Sequence, residues 1–182
     1  TNGSFIKNNM KGKVIWGDAR KTLSQIPCKY GFDLIYLDAF SPLKCPMLWT
    51  EEFLAKIANR LKPNGRLITY SSSAAVRASL IRAGLSVHST VPNEEDLDKW
   101  SIGTIGIKTP NKIGKRNEKS NYRILSPREE EHLKTKAAVP FRDPTGKGKR
   151  EEIIRRRKEE QDLSQFESTS KWKRRWKKQT AY

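Results

Sequence analysis

Short apolar runs alternate with helix-like stretches from the start of the chain to about Lys108. This alternation predicts an α/β fold with a largely parallel sheet. The apolar runs at residues 13–16 and 32–37 predict two strands, and a carboxylate follows each of them, Asp18 after the first and Asp38 after the second. The pattern therefore places two acidic side chains at the carboxyl edge of the predicted sheet.

Helical spacing follows between Thr50 and Leu61, where the apolar residues fall on one face and Thr50 is the predicted N-cap. Residues 62–65 then predict a turn, since the proline and glycine there end a helix. Beyond this turn the pattern predicts a strand at 66–70, a second helix at 74–83 and two final strands at 85–91 and 101–108.

The composition changes at Thr109, after which the chain carries 22 basic and 11 acidic residues and few apolar ones. This change divides the chain into an α/β part, residues 1–108, and a basic extension, residues 109–182, that is partly helical or disordered. Ser126 begins a capping box that predicts a helix through about Lys136. Residues 149–163 are nearly all charged and lack an apolar face, so we expect that they cannot form a core by themselves, although Glu and Arg pairs favour a helix.

The formal net charge of +17 favours a polyanionic partner, because cationic side chains release counterions when they neutralise phosphates. Nucleic acid is the leading class, ahead of an anionic membrane surface. No apolar run is long enough to span a bilayer and no leader-like segment opens the chain, so a soluble cytoplasmic protein is expected. Cys28 and Cys45 form no paired motif and the histidines do not cluster, so we predict reduced thiols and no metal site.

The two carboxylates are the first candidates for chemistry, because ligands of open α/β sheets bind outside the carboxyl ends of the strands. Each could instead simply cap the helix or loop that follows it. The loop at residues 38–49 holds two prolines, two aromatic residues and a lysine directly after a predicted strand, as pocket-forming loops do. Its alternative is a stiff connector whose Phe40 and Trp49 pack on the sheet.

These residues resemble the methyltransferase domain of the MnmC-type enzymes that modify the wobble uridine of tRNA. The resemblance spans about residues 13–108, and the 38–49 loop is its most specific element. Its motifs are GDARKTL at 17–23, LDAFSP at 37–42 with Lys44, Pro46, Met47 and Trp49, LKPNG at 61–65, and Thr69-Tyr70. The implied fold is an incomplete Rossmann-like class I methyltransferase sheet with a basic, partly helical C-terminal extension.

The resemblance implies S-adenosylmethionine as the cofactor and the aminomethyl group of a modified wobble uridine in tRNA as the methyl acceptor. Asp18 and Ala19 would contact the adenine of the cofactor. Asp38 would lie beside both the sulfonium methyl and the acceptor amine, as the catalytic residue. The uridine side of the site would be lined by Phe40, Pro42, Lys44 and Trp49.

The extension ends in a segment, residues 171–178, that interleaves two indoles with six cations. Cations neutralise phosphates and tryptophan stacks on unpaired bases, so this composition is typical of single-stranded or loop RNA binding. A solvated, disordered tail is the alternative. The residues predicted to bind RNA are Lys171, Trp172, Arg174, Arg175, Trp176 and Lys177.

The sequence departs from the family in two ways, since neither the glycine-rich turn nor the ribose-binding acid of class I methyltransferases precedes Lys13. We therefore expect either a fragment of a longer chain, which Thr1 in place of methionine also suggests, or a truncated relative. The second case favours an RNA-binding protein with a degenerate methyltransferase fold and no catalysis. A small-molecule methyltransferase is a weaker alternative. The FAD-dependent oxidoreductase activity of the fused enzymes is not expected.

Overall fold

The computed structural model describes residues 3–27, 31–90, 102–109 and 122–179, and for residues 178 and 179 it describes the backbone only. Their strands form a two-stranded hairpin, β1-β2, and a separate five-stranded sheet of order β3-β4-β6-β5-β7. The strands are β1 Gly3–Lys7, β2 Met10–Val14, β3 Phe32–Tyr36, β4 Leu61–Thr69, β5 Ser86–Thr90, β6 Gly103–Ile107 and β7 Tyr122–Ile124. The α-helices are α1 Ala19–Thr22, α2 Glu51–Ala58, α3 Ala74–Arg82, α4 Pro127–His132, α5 Arg150–Leu163 and α6 Thr169–Gln179.

The five-stranded sheet is mixed, and the prediction of a largely parallel sheet needs correction. Only β3 and β4 pair in parallel within the described ranges. Strand β6 lies between β4 and β5 and is antiparallel to both, while β7 is antiparallel to β5. Strands β3, β4 and β5 therefore run in one direction, and β6 and β7 run in the opposite direction. Strand order depends on long-range pairing, which the apolar pattern of a single strand does not encode.

The predicted turn at residues 62–65 interrupts β4 instead of preceding it. Phe32 pairs with Leu61 and Leu34 pairs with Arg66. Strand β4 therefore contains more residues than β3 between these two pairs, and the additional residues form the turn. Asn64 adopts a left-handed conformation with φ of 64°. A Cβ at Gly65 would lie 2.8 Å from the carbonyl oxygen of Phe32, so only glycine fits where the turn meets β3.

Helix α2 begins where the sequence predicts, because the Thr50 hydroxyl accepts a hydrogen bond from the backbone N–H of Phe53. Its apolar face packs into the main core together with α3, β4 and the loop that precedes α2. The largest fully buried apolar side chains of this core are Trp49, Leu54, Leu67, Leu80, Phe141 and Ile153.

Two of these core residues belong to the basic extension, and residues 149–163 add to the main core without forming a cluster of their own in the described part of the chain. Ile153 of α5 is buried in the same cluster as Trp49, although its neighbours along the helix are charged. The guanidinium of Arg157 lies 4.3 Å from the centroid of the Phe141 ring. Ile153 thus supplies the buried apolar contact of this polar helix, and hydrogen bonds from the Arg157 guanidinium to the carbonyls of Val139 and Ala137 attach it further.

The capping box at Ser126 is confirmed at the start of α4, which ends at His132 and is followed by a short 3₁₀ helix, Lys136–Ala138. Its Glu129 is fully buried and forms ion pairs with Arg77 of α3 and Arg123 of β7. Ser89 of β5 donates a hydrogen bond to the same carboxylate. The network joins the extension to the sheet through one buried carboxylate that is paired with two guanidinium groups.

The hairpin β1-β2 stands apart from the main sheet. The strand predicted at 13–16 is observed three residues earlier, at Met10–Val14, and within the described ranges it pairs with β1 alone. Its apolar side chains, Phe5, Ile6, Met10 and Val14, are exposed. No strand in the described ranges pairs with the outer edge of β3, where Leu34 and Tyr36 are exposed as well.

None of the helices in the described ranges is long and apolar enough to cross a membrane. Cys45 is a free cysteine, whereas Cys28 lies outside the described residues. Those residues contain no cluster of three or more acidic, histidine or cysteine side chains that could hold a metal ion.

Candidate active site at the carboxyl end of β3

Asp38 lies where the chain leaves the sheet. Strand β3 continues its pairing as far as Leu37, whose backbone N–H donates to the carbonyl of Ile68 at 2.9 Å. Leu37 is buried and the next side chain, Asp38, is exposed. The strand therefore presents this carboxylate at the carboxyl edge of the sheet, as the sequence predicts.

An open cavity of about 360 Å³ surrounds this carboxylate, a size typical of small-molecule sites. Phe40 is 77% exposed beside it, and the Tyr70 hydroxyl donates a 2.8 Å hydrogen bond to the carbonyl of Ala39. One carboxylate, one ammonium group and two aromatic rings thus face a common space. The lining residues are Asp38, Ala39, Phe40, Ser41, Lys44 and Tyr70.

The cavity has a rigid frame on the core side. The Trp49 indole is completely buried, and its Nε1–H donates to the carbonyl of Phe40 at 2.7 Å. It also meets the Tyr70 ring edge to face, with 6.1 Å between centroids. The backbone N–H groups of Lys44 and Cys45 both donate to the carbonyl of Ser41. The loop therefore keeps its shape through internal bonds.

The burial of Trp49 corrects its predicted place on the uridine side, because a side chain without exposed surface cannot contact a substrate. Pro42 is half-buried and is not among the residues that line the cavity. Tyr70, by contrast, was not among the predicted site residues. It follows β4, which runs parallel to β3, so its position at the same sheet edge could have been expected.

Asp18 caps helix α1, and its carboxylate is largely engaged by a single neighbour. Its Oδ1 accepts from the backbone N–H of Arg20 at 3.0 Å, and the Arg20 guanidinium contacts both oxygens, the shortest contact being 2.7 Å. The side-chain hydrogen bond from Arg20 is the main cause that lowers the pKa of Asp18. The capping alternative is therefore confirmed, and a cofactor contact stays a proposal.

Asp18 and Asp38 do not follow neighbouring strands of one sheet, so that expectation was wrong. The hairpin that precedes Asp18 is separate from the sheet that carries Asp38. Helix α1 does pack against the short 3₁₀ helix Pro46–Leu48, which follows the cavity loop. Ala19 and Leu23 also contact the core cluster that contains Trp49. The two carboxylates are thus linked through the same loop scaffold.

The predicted RNA-binding segment forms helix α6, and its two indoles face inward. Trp172 is only 2% exposed and stacks on the His132 ring, with 4.6 Å between centroids. The Trp176 Nε1–H donates to Glu131 at 2.9 Å, and Arg175 pairs with Glu131 and Glu167. The expectation that Trp172 stacks on bases therefore needs correction, because the folded protein uses this indole to dock the helix.

The cations on the other side of α6 remain at the surface. Lys171, Lys173, Arg174 and Lys177 are all exposed, while Trp172, Arg175 and Trp176 face α4 and the segment before α6. The side chain of Lys178 lies outside the described residues. The helix therefore separates its docking face from a cationic face, which the sequence pattern alone does not distinguish.

A model of the S-adenosyl-L-methionine-dependent methyltransferase family matches residues 3–93, half of the chain. The chain belongs to this family. The crystal structure of MnmC2 from Aquifex aeolicus superposes with a TM-score of 0.71 and 28% sequence identity, covering 89% of this chain and 48% of that one. The fold and the MnmC-like character of the domain are thus both shown.

Curated relatives are also similar to this chain, but the similarity covers a smaller part of each relative. An uncharacterized protein of Methanocaldococcus jannaschii, MJ0670, is 31% identical over 146 residues, which is 80% of this chain and 37% of that protein. The tRNA 5-methylaminomethyl-2-thiouridine biosynthesis bifunctional protein MnmC of Dichelobacter nodosus is 35% identical over 75 residues, or 41% of this chain and 12% of that protein. The chain thus spans well under half the length of these relatives.

The residues around the cavity fit part of the cofactor that this family uses. A sulfonium is a cation, and a carboxylate with neighbouring aromatic rings stabilises cations. Asp18 receives three donors from Arg20, whereas a carboxylate offers about four acceptor positions, so it has room for one further donor such as an adenine amine. Asp38 and Tyr70 would thus face the sulfonium, and Asp18 the adenine.

Proposed function

We propose that this methyltransferase transfers the methyl group of S-adenosylmethionine to the nitrogen of an aminomethyl group on a modified wobble uridine in tRNA. The observation that carries this proposal is the exposed carboxylate of Asp38 at the end of β3, in a cavity with two aromatic rings. The names of the MnmC relatives support the choice of tRNA.

The reaction needs an uncharged amine held in line with the bond that breaks. Asp38 accepts a hydrogen bond from an N–H of the acceptor, which leaves the nitrogen lone pair directed at the methyl carbon. As the new carbon–nitrogen bond forms, positive charge develops on nitrogen, and the adjacent carboxylate stabilises it. Asp38 then accepts the proton that the product ammonium releases. When bound, S-adenosylmethionine would supply the electrophilic methyl group, and the neutral thioether would be its product.

The other lining residues serve the nucleobase. Phe40 presents an exposed ring on which a uracil can stack, and Lys44 adds an ammonium group to the cavity lining that can pair with a phosphate. Pro42 and Trp49 act indirectly in this proposal, because they shape the loop that carries Phe40 and Lys44. Tyr70 joins the site and holds Ala39 through its hydroxyl.

The cationic face of α6 is the proposed tRNA-binding surface outside the cavity. Its exposed lysine and arginine side chains suit the phosphate backbone, which is read through charge more than through base identity. The net charge of +17 is consistent with this assignment. Base stacking by the α6 indoles is not part of the proposal, since Trp172 is buried.

Asp38→Asn tests the proposed role of the carboxylate. We expect kcat for methyl transfer to fall by about 10²- to 10⁴-fold, since the amide accepts the amine N–H but takes no proton and carries no charge. The dissociation constant for S-adenosylmethionine, measured by isothermal titration calorimetry, should rise far less than kcat falls, because Asp18 and Tyr70 still face the cofactor. Unchanged turnover would refute the assignment of Asp38.

Asp33→Asn is the matched control for this experiment. Asp33 is another exposed carboxylate on β3, and it pairs at the surface with Lys62, outside the cavity lining. Its loss should leave kcat within about twofold, because exposed ion pairs contribute little.

A protein that binds tRNA but neither binds the cofactor nor transfers methyl would instead support the degenerate, RNA-binding alternative.

A further inference from the structure

We propose that Asp143, in the basic extension, is a positioning residue for the cofactor-binding carboxylate Asp18, acting through the guanidinium of Arg20. This inference rests on the proposed function and adds that Asp18 accepts a hydrogen bond from the adenine amine of S-adenosylmethionine. It assigns to the extension a role in cofactor binding, besides the role in tRNA binding that its charge suggests.

Arg20 lies between the two carboxylates and uses different nitrogens for each. Its Nη1–H groups donate to Asp143 Oδ2 and to the carbonyl of Gly148, both at 2.9 Å. Its Nε and Nη2 contact Asp18 at 2.7 to 3.2 Å. Because a guanidinium is planar, fixing Nη1 also fixes the edge that faces Asp18. The orientation of the Asp18 carboxylate therefore depends on what holds Nη1.

Asp143 is itself held tightly. It is 1% exposed, and its Oδ1 accepts from the backbone N–H of Gly148 at 3.0 Å and from the Thr145 hydroxyl at 3.1 Å. Its own backbone N–H donates to Glu52 of α2 at 2.8 Å. A Cβ at position 148 would come within 2.9 Å of Oδ1, so a side chain there would displace the Asp143 carboxylate. Asp143 Oδ2 is left for Arg20.

The charges of the three groups explain why a second carboxylate is useful. Arg20 alone would neutralise Asp18 and weaken it as an acceptor for the adenine amine. With Asp143 present, two carboxylates share one guanidinium, so the cluster keeps a net negative charge. Burial opposes ionisation of Asp143, but hydrogen bonds from Gly148, Arg20 and Thr145 outweigh it and lower its pKa. Both carboxylates thus stay ionised at neutral pH.

Arg20 also connects α1 with a segment that is distant in sequence, in addition to its contacts with Asp18. Arg20 and Asp143 are far apart in sequence, so their ion pair joins α1 to the loop that precedes α5. That loop continues into α5, whose Arg150 donates to the carbonyl of Leu43 in the cavity loop at 3.0 Å. The extension thus contacts the scaffold of both proposed site carboxylates.

Asp143→Asn tests the inference in the full-length protein. The asparagine retains an oxygen for Gly148 and Thr145 and places an amide NH₂ opposite Arg20 Nη1. We expect the affinity for S-adenosylmethionine, measured by calorimetry, to fall by about three- to tenfold, the scale of couplings between neighbouring residues. The KM for S-adenosylmethionine should rise in parallel, while the KM for tRNA stays the same.

Glu51→Gln is the matched control, because Glu51 is the neighbouring carboxylate of α2 and pairs with Arg82 of α3 instead of the Arg20–Asp143 cluster. We expect cofactor affinity within about twofold of wild type for this variant. If Asp143→Asn fails to fold in thermal unfolding, Arg20→Gln tests the same link while leaving the bonds of Asp143 to Gly148 and Thr145 intact.

A double-variant cycle separates positioning from a general loss of stability. If Asp143 acts through Asp18, Asp18→Asn combined with Asp143→Asn binds the cofactor no more weakly than Asp18→Asn alone. Full additivity, or unchanged affinity in Asp143→Asn, overturns the inference while the proposed function stands. A wild-type protein that binds no S-adenosylmethionine defeats the proposed function and this inference with it.

Discussion

At the scale of single residues, the loop from Asp38 to Trp49 divides its side chains between the cavity and the core. Asp38, Phe40 and Lys44 face the open space, whereas Trp49 fills the core and holds the carbonyl of Phe40. The rigid connector and the pocket-forming loop were alternatives for this segment. The structure combines them, because the buried indole fixes the backbone that presents the exposed ring.

Trp49→Phe should therefore destabilise the protein and loosen the cavity loop. The substitution keeps an aromatic ring in the core but removes the N–H that satisfies the Phe40 carbonyl. We expect the free energy of unfolding to fall by about 1–3 kcal/mol in urea denaturation. Phe40→Leu, at an exposed position, should change it by less than about 0.5 kcal/mol. Equal effects of the two substitutions would contradict this account of the loop.

At the scale of secondary-structure elements, buried charge attaches the extension to the sheet in addition to the apolar contacts of Phe141 and Ile153. Glu129 of α4 is fully buried between Arg77 and Arg123, with further hydrogen bonds from Ser89 and Ser126. Its pKa is lowered to about 2, since these bonds outweigh the burial that opposes ionisation. Removing one charge of such a cluster leaves the others buried without compensation.

Glu129→Gln should accordingly lower the free energy of unfolding at pH 7 by about 3–5 kcal/mol. Glu130→Gln is the matched control, because Glu130 is the adjacent, exposed residue of the same helix. The pKa of Glu129 is lowered on folding, so its contribution is present above its unfolded pKa of about 4.5 and is lost as the pH falls towards about 2. Unfolding curves of wild type and variant should converge over that range. A constant difference would contradict the prediction.

Helix α6 is the second element whose role can be tested separately from the site. Lys171→Gln, Lys173→Gln and Arg174→Gln together remove three exposed cations and leave the docked tryptophans in place. We expect weaker tRNA binding and a salt dependence whose logarithmic slope is shallower by about 2. Lys7→Gln, Lys11→Gln and Lys13→Gln remove the same charge from the exposed hairpin. An equal loss of affinity in the two triple variants would count against α6 as the binding surface.

At the scale of the whole molecule, local features could be predicted from the sequence and long-range ones could not. The caps at Thr50 and Ser126 and the exit of Asp38 from its strand depend on neighbouring residues, and the structure confirms them. The burial of Trp172 and Ile153 depends on which distant surface each helix meets. A tryptophan among lysines and an isoleucine among arginines look alike in sequence whether they bind a partner or the protein's own core.

The same distinction explains the site. The end of β3 could be placed from its apolar run, but the separation of the hairpin from the main sheet and the pairing of Arg20 with Asp143 could not, because both depend on contacts between distant segments. Membership of the methyltransferase family adds information that neither local patterns nor distant contacts supply. Its motifs identify the loop, while the structure shows which side chains of that loop are accessible.

The most direct test of the central claim is a methyl-transfer assay with labelled S-adenosylmethionine and two preparations of the same tRNA. One preparation carries 5-aminomethyl-2-thiouridine at the wobble position, and the other lacks the aminomethyl group. The account predicts label in the first preparation only, recovered as the methylated wobble nucleoside after digestion. Label in both preparations, or at any other nucleoside, would contradict it, as would the absence of transfer by a protein that binds both the cofactor and the tRNA.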